Sequence, residues 1–268
     1  TLHRSMRHSL LSPGKRIRPI VTVLTAQTLG ASPDAAIDPA CAVEMVHAAS
    51  LILDDLPFMD DATERRGKPA NHVIFGQDIA TLAAVSLLNQ AYAVLMDAPD
   101  LDVDSRLVLL RELTKIIGEG GIVSGQVHDL ELTGKTDPCP NHLERMARQK
   151  TGALFDVCAR MGAIVAGASI QQLDAVRTYA CALGLCFQVL DDLADGMASP
   201  SAAGMRPSED DRKATFFSMM GPERAKAFSE ELVHDAVRAL EPIGPAADPL
   251  AEFANYVLES TWRFTPQR

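Results

Sequence analysis

Along this chain apolar residues recur at helical spacing, in long Ala/Leu/Val-rich segments divided by short Pro, Gly and Asp punctuation. No run of alternating β-branched residues offers a strand one face to bury, so the pattern restricts the chain to an all-α fold. Pro13-Gly14, Ser32-Pro33-Asp34, Ala98-Pro99-Asp100, Asp137-Pro138-Cys139-Pro140 and Gly244-Pro245 mark the breaks. They predict helices near 16–29, 35–56, 74–96, 102–131, 141–166 and 169–197, with two amphipathic helices at 222–240 and 246–262. The Ser/Pro/Gly/Ala-rich stretch 196–210 reads as a loop. With 268 residues and 47% hydrophobic content, the chain can bury a large core, and one domain over 1–268 is expected.

A net charge of −10 argues against nucleic acid as a partner, because a phosphate backbone is held by basic patches. An acidic substrate would have to be met by a local cationic cluster. Five scattered cysteines, Cys41, Cys139, Cys158, Cys181 and Cys186, form no CxxC pair and read as reduced thiols of a cytoplasmic protein. No membrane span is expected, since the most apolar segments are interrupted by Glu44 or by Asn89 and Gln90. Nothing near Thr1 resembles a signal peptide.

Two acidic pairs, Asp54-Asp55 and Asp191-Asp192, each close an apolar helical run. Like charges at a helix C-terminal end oppose the macrodipole and repel each other, so each pair calls for a cation. The clusters extend to Asp60-Asp61 and to Asp195, and contain carboxylates only, a donor set that favours Mg²⁺ or Ca²⁺ over zinc. Asp191 and Asp195 are one helical turn apart and share a face. In the first cluster Pro57 disturbs the helix, and periodicity leaves open whether Asp60 or Asp61 turns inward.

Two Gly/Pro-framed cationic turns accompany them, Gly14-Lys15-Arg16-Ile17-Arg18-Pro19 and Arg65-Arg66-Gly67-Lys68-Pro69, and either can wrap phosphate oxygens. His47 lies two helical turns before Asp54 on the same face. Lys150-Thr151 and Lys213-Ala214-Thr215 supply further candidate phosphate donors, and Gln188 sits three residues before Asp191.

Taken together, GKRIRP at 14–19, MVHAASLILDDLPFMDDATERRGKPANH at 45–72, GIVSGQVHDL at 121–130, KTGALF at 150–155 and FQVLDD at 187–192 resemble the trans-prenyl diphosphate synthase family. That family includes the farnesyl and geranylgeranyl diphosphate synthases. The resemblance implies a bundle of long, mostly antiparallel helices around a deep central cavity, assembled as a homodimer. It implies Mg²⁺ as cofactor, two or three ions, with Asp54 and Asp60 as ligands, Asp55 in support, and Asp191 and Asp195 holding another. Lys15, Arg18, His47 and Arg66 resemble the isopentenyl diphosphate pocket. Arg65, Lys150, Gln188 and Lys213 resemble the contacts to the allylic diphosphate, with Thr151 beside them. Asp54, Asp55, Asp191, Lys150 and Lys213 would carry the catalysis.

The implied reaction is ionisation of an allylic diphosphate, attack by isopentenyl diphosphate and loss of a proton. Family members commonly carry a GK step after the second Asp motif; here the nearest match is Gly204-Met205, so closure over the diphosphate is expected to be weaker or differently made. The chain also begins close to the GKR motif, so an N-terminal segment of relatives is expected to be missing. Ala49 and Ser50, one turn before Asp54, are small where a bulky residue stops growth at the farnesyl product, which points to the twenty-carbon geranylgeranyl product. Other walls, from Leu82, Val85 or Ser86, would also limit length. Three readings compete: a farnesyl diphosphate synthase, a class I terpene cyclase, and a non-catalytic subunit of a heteromeric synthase. Against the cyclase stand the second Asp motif and the Lys15/Arg18/His47/Arg66 set; against the non-catalytic subunit stands the survival of both Asp motifs.

Overall fold

The structure, a computed structural model, describes residues 1–132, 147–198 and 215–262. They are almost wholly helical: α1 Leu2–Leu10, α2 Ile17–Thr28, α3 Ile37–Asp54, α4 Asn71–Phe75, α5 Gln77–Asp97, α6 Val103–Ile117, α7 Ile122–Leu132, α8 Ala153–Val165, α9 Ile170–Ala198, α10 Phe216–Ala239 and α11 Asp248–Trp262. The helical periodicity was legible, but several boundaries differ for identifiable reasons. The helix expected over 102–131 breaks between α6 and α7, where Gly118, Gly120 and Gly121 weaken helix propensity within four residues. The helix expected from 222 starts at Phe216, because Thr215 caps it: its Oγ accepts from the Ser218 N–H and its own N–H donates to the Ser218 Oγ. The Gly221-Pro222 step then kinks the helix, with Gly221 at φ 73°. Of the helix expected over 141–166 and the loop over 196–210, residues 141–146 and 199–210 lie outside the described residues.

One small sheet departs from the all-helical expectation. β1 Glu64–Arg65 and β2 Lys68–Pro69 pair antiparallel, Arg65 opposite Lys68. Their turn, Arg66-Gly67, has φ of 56° and 71°, the double positive φ of a tight hairpin. Two-residue strands are too short to leave an alternating signature.

The main core gathers the inner faces of α2, α8, α9, α10 and α11, with Phe155, Tyr179, Leu183 and Leu185 among its large buried side chains. The Tyr179 hydroxyl donates to the Leu250 carbonyl at 2.9 Å and ties α9 to α11. A charged network fastens α6 to α8 and α9: Arg160 pairs with the buried Glu112 and with Asp156, and Arg177 Nε lies 3.0 Å from Asp156. A second cluster joins α3 to α5 through Ala49, Ile52, Ala83, Ala84 and Leu87. Helices α2 and α8 touch backbone to backbone at Gly162, where an added Cβ would meet the Thr22 carbonyl oxygen at 2.4 Å and the Ala26 nitrogen at 2.9 Å. Gly162→Ala is therefore expected to lower stability by about 1–3 kcal/mol, the usual cost of overpacking, read as a fall in the thermal midpoint.

By length and composition alone, the helices nonetheless include stretches of membrane-spanning size. Three helical stretches, 33–54, 77–97 and 170–197, are long and apolar enough to cross a bilayer. A single polar residue such as Glu44 lowers the mean hydropathy of an otherwise apolar helix too little to take it out of that range. In the first and third, 61% and 56% of the apolar window is buried inside the fold, which accounts for their composition. In α5 only 33% is buried, and Leu82, Val85 and Met96 are exposed.

Candidate active site

A cavity of about 1150 Å³ opens between α2, α3, α7, α8 and α9. The polypeptide brings both cations and carboxylates to its lining. Lys15, Arg16 and Arg18 come from the turn into α2, His47 from α3, and Arg65 and Arg66 from the hairpin. Asp54 and Asp60 reach it from the end of α3, and Asp191 from α9.

The first acidic motif folds as a closed loop. Pro57 cannot continue α3, and the chain turns so that the Asp60 N–H donates to the Asp54 carbonyl at 2.9 Å. This returns Asp60 to the side of Asp54, lining the cavity. Asp61, at φ 49°, is exposed and absent from the lining.

In each pair the first aspartate faces the cavity and the second fastens an element. Asp55 is 3% exposed, and its Oδ1 accepts from Arg65 Nε at 2.8 Å and Nη2 at 2.5 Å. Burial pushes the Asp55 carboxyl up, against the opposing pull of Arg65. Asp192 accepts from the Gln188 amide at 2.8 Å and from the Phe216 N–H at 2.8 Å, which anchors the start of α10. Gln188 is itself oriented by the Thr151 hydroxyl, which donates to its carbonyl oxygen at 2.6 Å. Thr151 stands in a π-helical turn, Arg148–Gly152, that precedes α8 and also contains Lys150. Lys213 lies outside the described residues.

The cationic side is cross-braced. Burial, then the arginines around it, pull the His47 imidazole well below its ordinary range and keep it neutral. Its Nε2 can then accept, and Arg18 Nη1 and Arg66 Nη2 both lie 3.2 Å from it. Arg18 is half-buried, and desolvation lowers its pKa while leaving a guanidinium charged at any working pH. Its charge lies over aromatic faces, 5.2 Å from the Phe155 centroid and 5.8 Å from that of Phe187, and Lys15 Nζ is 5.5 Å from Phe187. The Arg66 guanidinium rests against Gly14, where an added Cβ would come within 2.6 Å of Nη1. Only glycine leaves it that room.

On α9, burial pushes Asp191 up to about 6, with Lys15 and Arg18 opposing and Asp195 reinforcing the rise. Asp195, one turn further on, is exposed. The donors are oxygens alone and fit a hard divalent cation. Among the described residues no three Asp, Glu, His or Cys side chains converge as a closed metal cage. Ions held here would take further ligands from water or from phosphate oxygens, a common arrangement for magnesium.

Ser50 lines the cavity, one turn before Asp54, with its hydroxyl donating to the His47 carbonyl at 2.9 Å. Ala49 instead is fully buried in the α3–α5 packing. Leu82 and Val85 are exposed and Ser86 half-buried; none of the three lines the cavity. Arg16, from the cationic turn, also lines the cavity, and so do residues given no role in the sequence: Glu44, Leu51, Ile122, Gln126, Leu154 and Phe187. Glu44 had a signal, since it lies one turn before His47 and shares its face. Gln126 sits inside the GIVSGQVHDL stretch; its Nε2 approaches the Met59 sulfur at 3.9 Å, and its buried Oε1 has no hydrogen-bond partner among the described residues.

Comparison with known proteins gives a consistent result. The sequence pattern of the Polyprenyl synthetase family matches residues 1–239. The large subunit 1 of a heterodimeric geranylgeranyl pyrophosphate synthase from Arabidopsis thaliana chloroplasts is 41% identical over 266 residues, covering 96% of this chain and 71% of that protein. Geranylgeranyl diphosphate synthase of Pantoea ananas is 42% identical over 247 residues, covering 90% and 78%. Among solved structures, the apo FPP/GFPP synthase of Zymomonas mobilis superposes with a TM-score of 0.86 at 34% identity, covering 96% of this chain and 88% of that one.

Proposed function

Because the chain belongs to the polyprenyl synthetase family, we propose that it is a magnesium-dependent geranylgeranyl diphosphate synthase, condensing isopentenyl diphosphate with an allylic diphosphate. The observation that carries this reading is one cavity lined both by braced cations, Lys15, Arg18, Arg65 and Arg66, and by Asp54, Asp60 and Asp191 of the two carboxylate motifs. Two diphosphates need two kinds of holder. Lys15, Arg18 and Arg66 suit the isopentenyl diphosphate directly, by charge-assisted hydrogen bonds. Asp54, Asp60, Asp191 and Asp195 suit two or three Mg²⁺ ions, with Asp55 holding Arg65 in place beside them. When bound, the ions supply the positive charge that stabilises the diphosphate departing from the allylic carbon.

The remaining work falls to the chain itself. Arg65, Lys150 and Lys213 are the candidate donors to the departing diphosphate, and Thr151 fixes the Gln188 amide next to it. Leu51, Ile122, Leu154 and Phe187 form an apolar lining that keeps water from the allylic cation. The proton released after carbon–carbon bond formation passes to the freed diphosphate, so no side-chain base is required. Purified protein given Mg²⁺, isopentenyl diphosphate and each of the five-, ten- and fifteen-carbon allylic starters is expected to yield geranylgeranyl diphosphate by chromatography. A cyclised hydrocarbon, or no product, would overturn the reading.

The proposed assembly is a homodimer, in the cytoplasm. Its support is the exposed apolar face spread over α5, α6 and α7: Leu82, Val85, Leu107, Val108, Val123 and Val127. Val85→Glu combined with Val123→Glu is expected to convert a dimer to a monomer by light scattering. Wild-type protein that is monomeric at micromolar concentration would refute the assembly. The free thiols of Cys41, Cys158, Cys181 and Cys186 fit a reducing compartment, which fractionation of source cells can check.

A further inference from the structure

We propose that Glu44 sets how firmly the cationic wall grips a diphosphate, by tying up the guanidinium of Arg16 at the cavity wall. This rests on the two-diphosphate reading above. Glu44 is 8% exposed and forms an ion pair with Arg16 through Oε1. The other terminal nitrogen of Arg16 donates to the Ser12 carbonyl at 2.5 Å, so both ends of this guanidinium are engaged. Arg16 has φ of 49°, in the left-handed region, so the backbone takes a conformation that a non-glycine residue seldom adopts. The Oε2 of Glu44 is buried with no hydrogen-bond partner among the described residues. A carboxylate in this setting carries a desolvation cost, and it lowers rather than raises the affinity of the wall for an anion. Its charge reaches both Arg18 and Arg66.

The chemistry of the reaction supplies a use for such restraint. The bond from the allylic carbon to its diphosphate breaks, and the leaving diphosphate takes the electron pair. The new bond forms from the isopentenyl double bond to that carbon, and a proton is lost to the freed diphosphate. The product therefore keeps the diphosphate that entered with the isopentenyl unit, and ends each cycle held by Lys15, Arg18 and Arg66. That group must leave before another isopentenyl diphosphate can bind. A wall with Arg16 free and no buried carboxylate would hold it longer.

The test uses Glu44→Gln, which keeps the shape and removes the charge. Inorganic diphosphate titrated calorimetrically into the whole protein in EDTA reads the cationic wall without the metal side. Glu44→Gln is expected to bind it about tenfold more tightly than wild type, the scale of one added unit of charge several ångströms away in a partly solvated site. KM for isopentenyl diphosphate falls by a similar factor and kcat falls with it, while KM for the allylic partner stays within about twofold. Arg16→Gln alone, which leaves Glu44 unbalanced, weakens diphosphate binding by about tenfold, and the double variant returns near wild type. Unchanged or weaker binding in Glu44→Gln, tightening that persists in the double variant, or unaltered affinity in Arg16→Gln would overturn the proposal. A protein that shows the charge effect but condenses no isopentenyl diphosphate would overturn the functional reading instead.

Discussion

Replacing Asp191 by alanine lowers kcat by about 10³-fold or more, while the thermal midpoint at pH 7 rises. The expectation follows from position: Asp191 is the acidic side chain of α9 that lines the cavity, which Asp54 and Asp60 also line. Loss of a group that organises charge at a leaving anion typically removes two to three orders of magnitude, and loss of an ion with it removes more. Stability behaves differently because burial already penalises the charged carboxyl, pushing it up to about 6. A group whose folded-state pKa is raised above its unfolded value of 3.8 opposes folding increasingly as pH climbs through that window, and the alanine variant is relieved of this. Steady-state kinetics at saturating Mg²⁺ read the first effect, and calorimetry at pH 7 reads the second. Activity near wild type in Asp191→Ala would refute the assignment of the second motif.

Ser50→Phe shortens the main product from the twenty-carbon to the fifteen-carbon chain or below. Ser50 is small, half-buried and part of the cavity wall one turn from Asp54, so a phenyl ring there occupies volume the growing chain would need. Ala49→Tyr acts elsewhere. Ala49 is packed against α5 among Ile52, Ala83, Ala84 and Leu87, where a large ring must separate two helices. It is expected to lower stability by about 1–3 kcal/mol or more. Product chromatography for the first variant and thermal unfolding for the second separate these roles. An unaltered chain length in Ser50→Phe would locate the floor at some other wall.

The helical character and the chemistry of this chain were legible because both are local. Carboxylate pairs at the ends of apolar runs are visible as short strings, and so are the glycine-framed cationic turns. What lay beyond the sequence was the division of labour inside those strings. Asp54 and Asp55 are neighbours with the same side chain, yet one lines the cavity and the other holds Arg65, a distinction made by a hairpin too short to leave a pattern. Asp192 is likewise spent on the N-terminus of α10, twenty-four residues later in the chain. Ala49 and Ser50 look equivalent as small residues, and only the position of α5 decides which one meets the cavity. The break between α6 and α7 was readable in its three glycines; the long apolar pattern on either side obscured it.

The π-helical turn at Arg148–Gly152 has a consequence of register. Such a turn is the trace of one surplus residue within an α-helix. Excising Gly152 from it would restore regular winding, but Thr151 would swing by roughly a quarter of a revolution relative to α8. Thr151 would lose its line to Gln188 while the helix itself became more regular. In this segment the better helix would be the poorer scaffold, and shortening the chain there would be less tolerable than many substitutions within it.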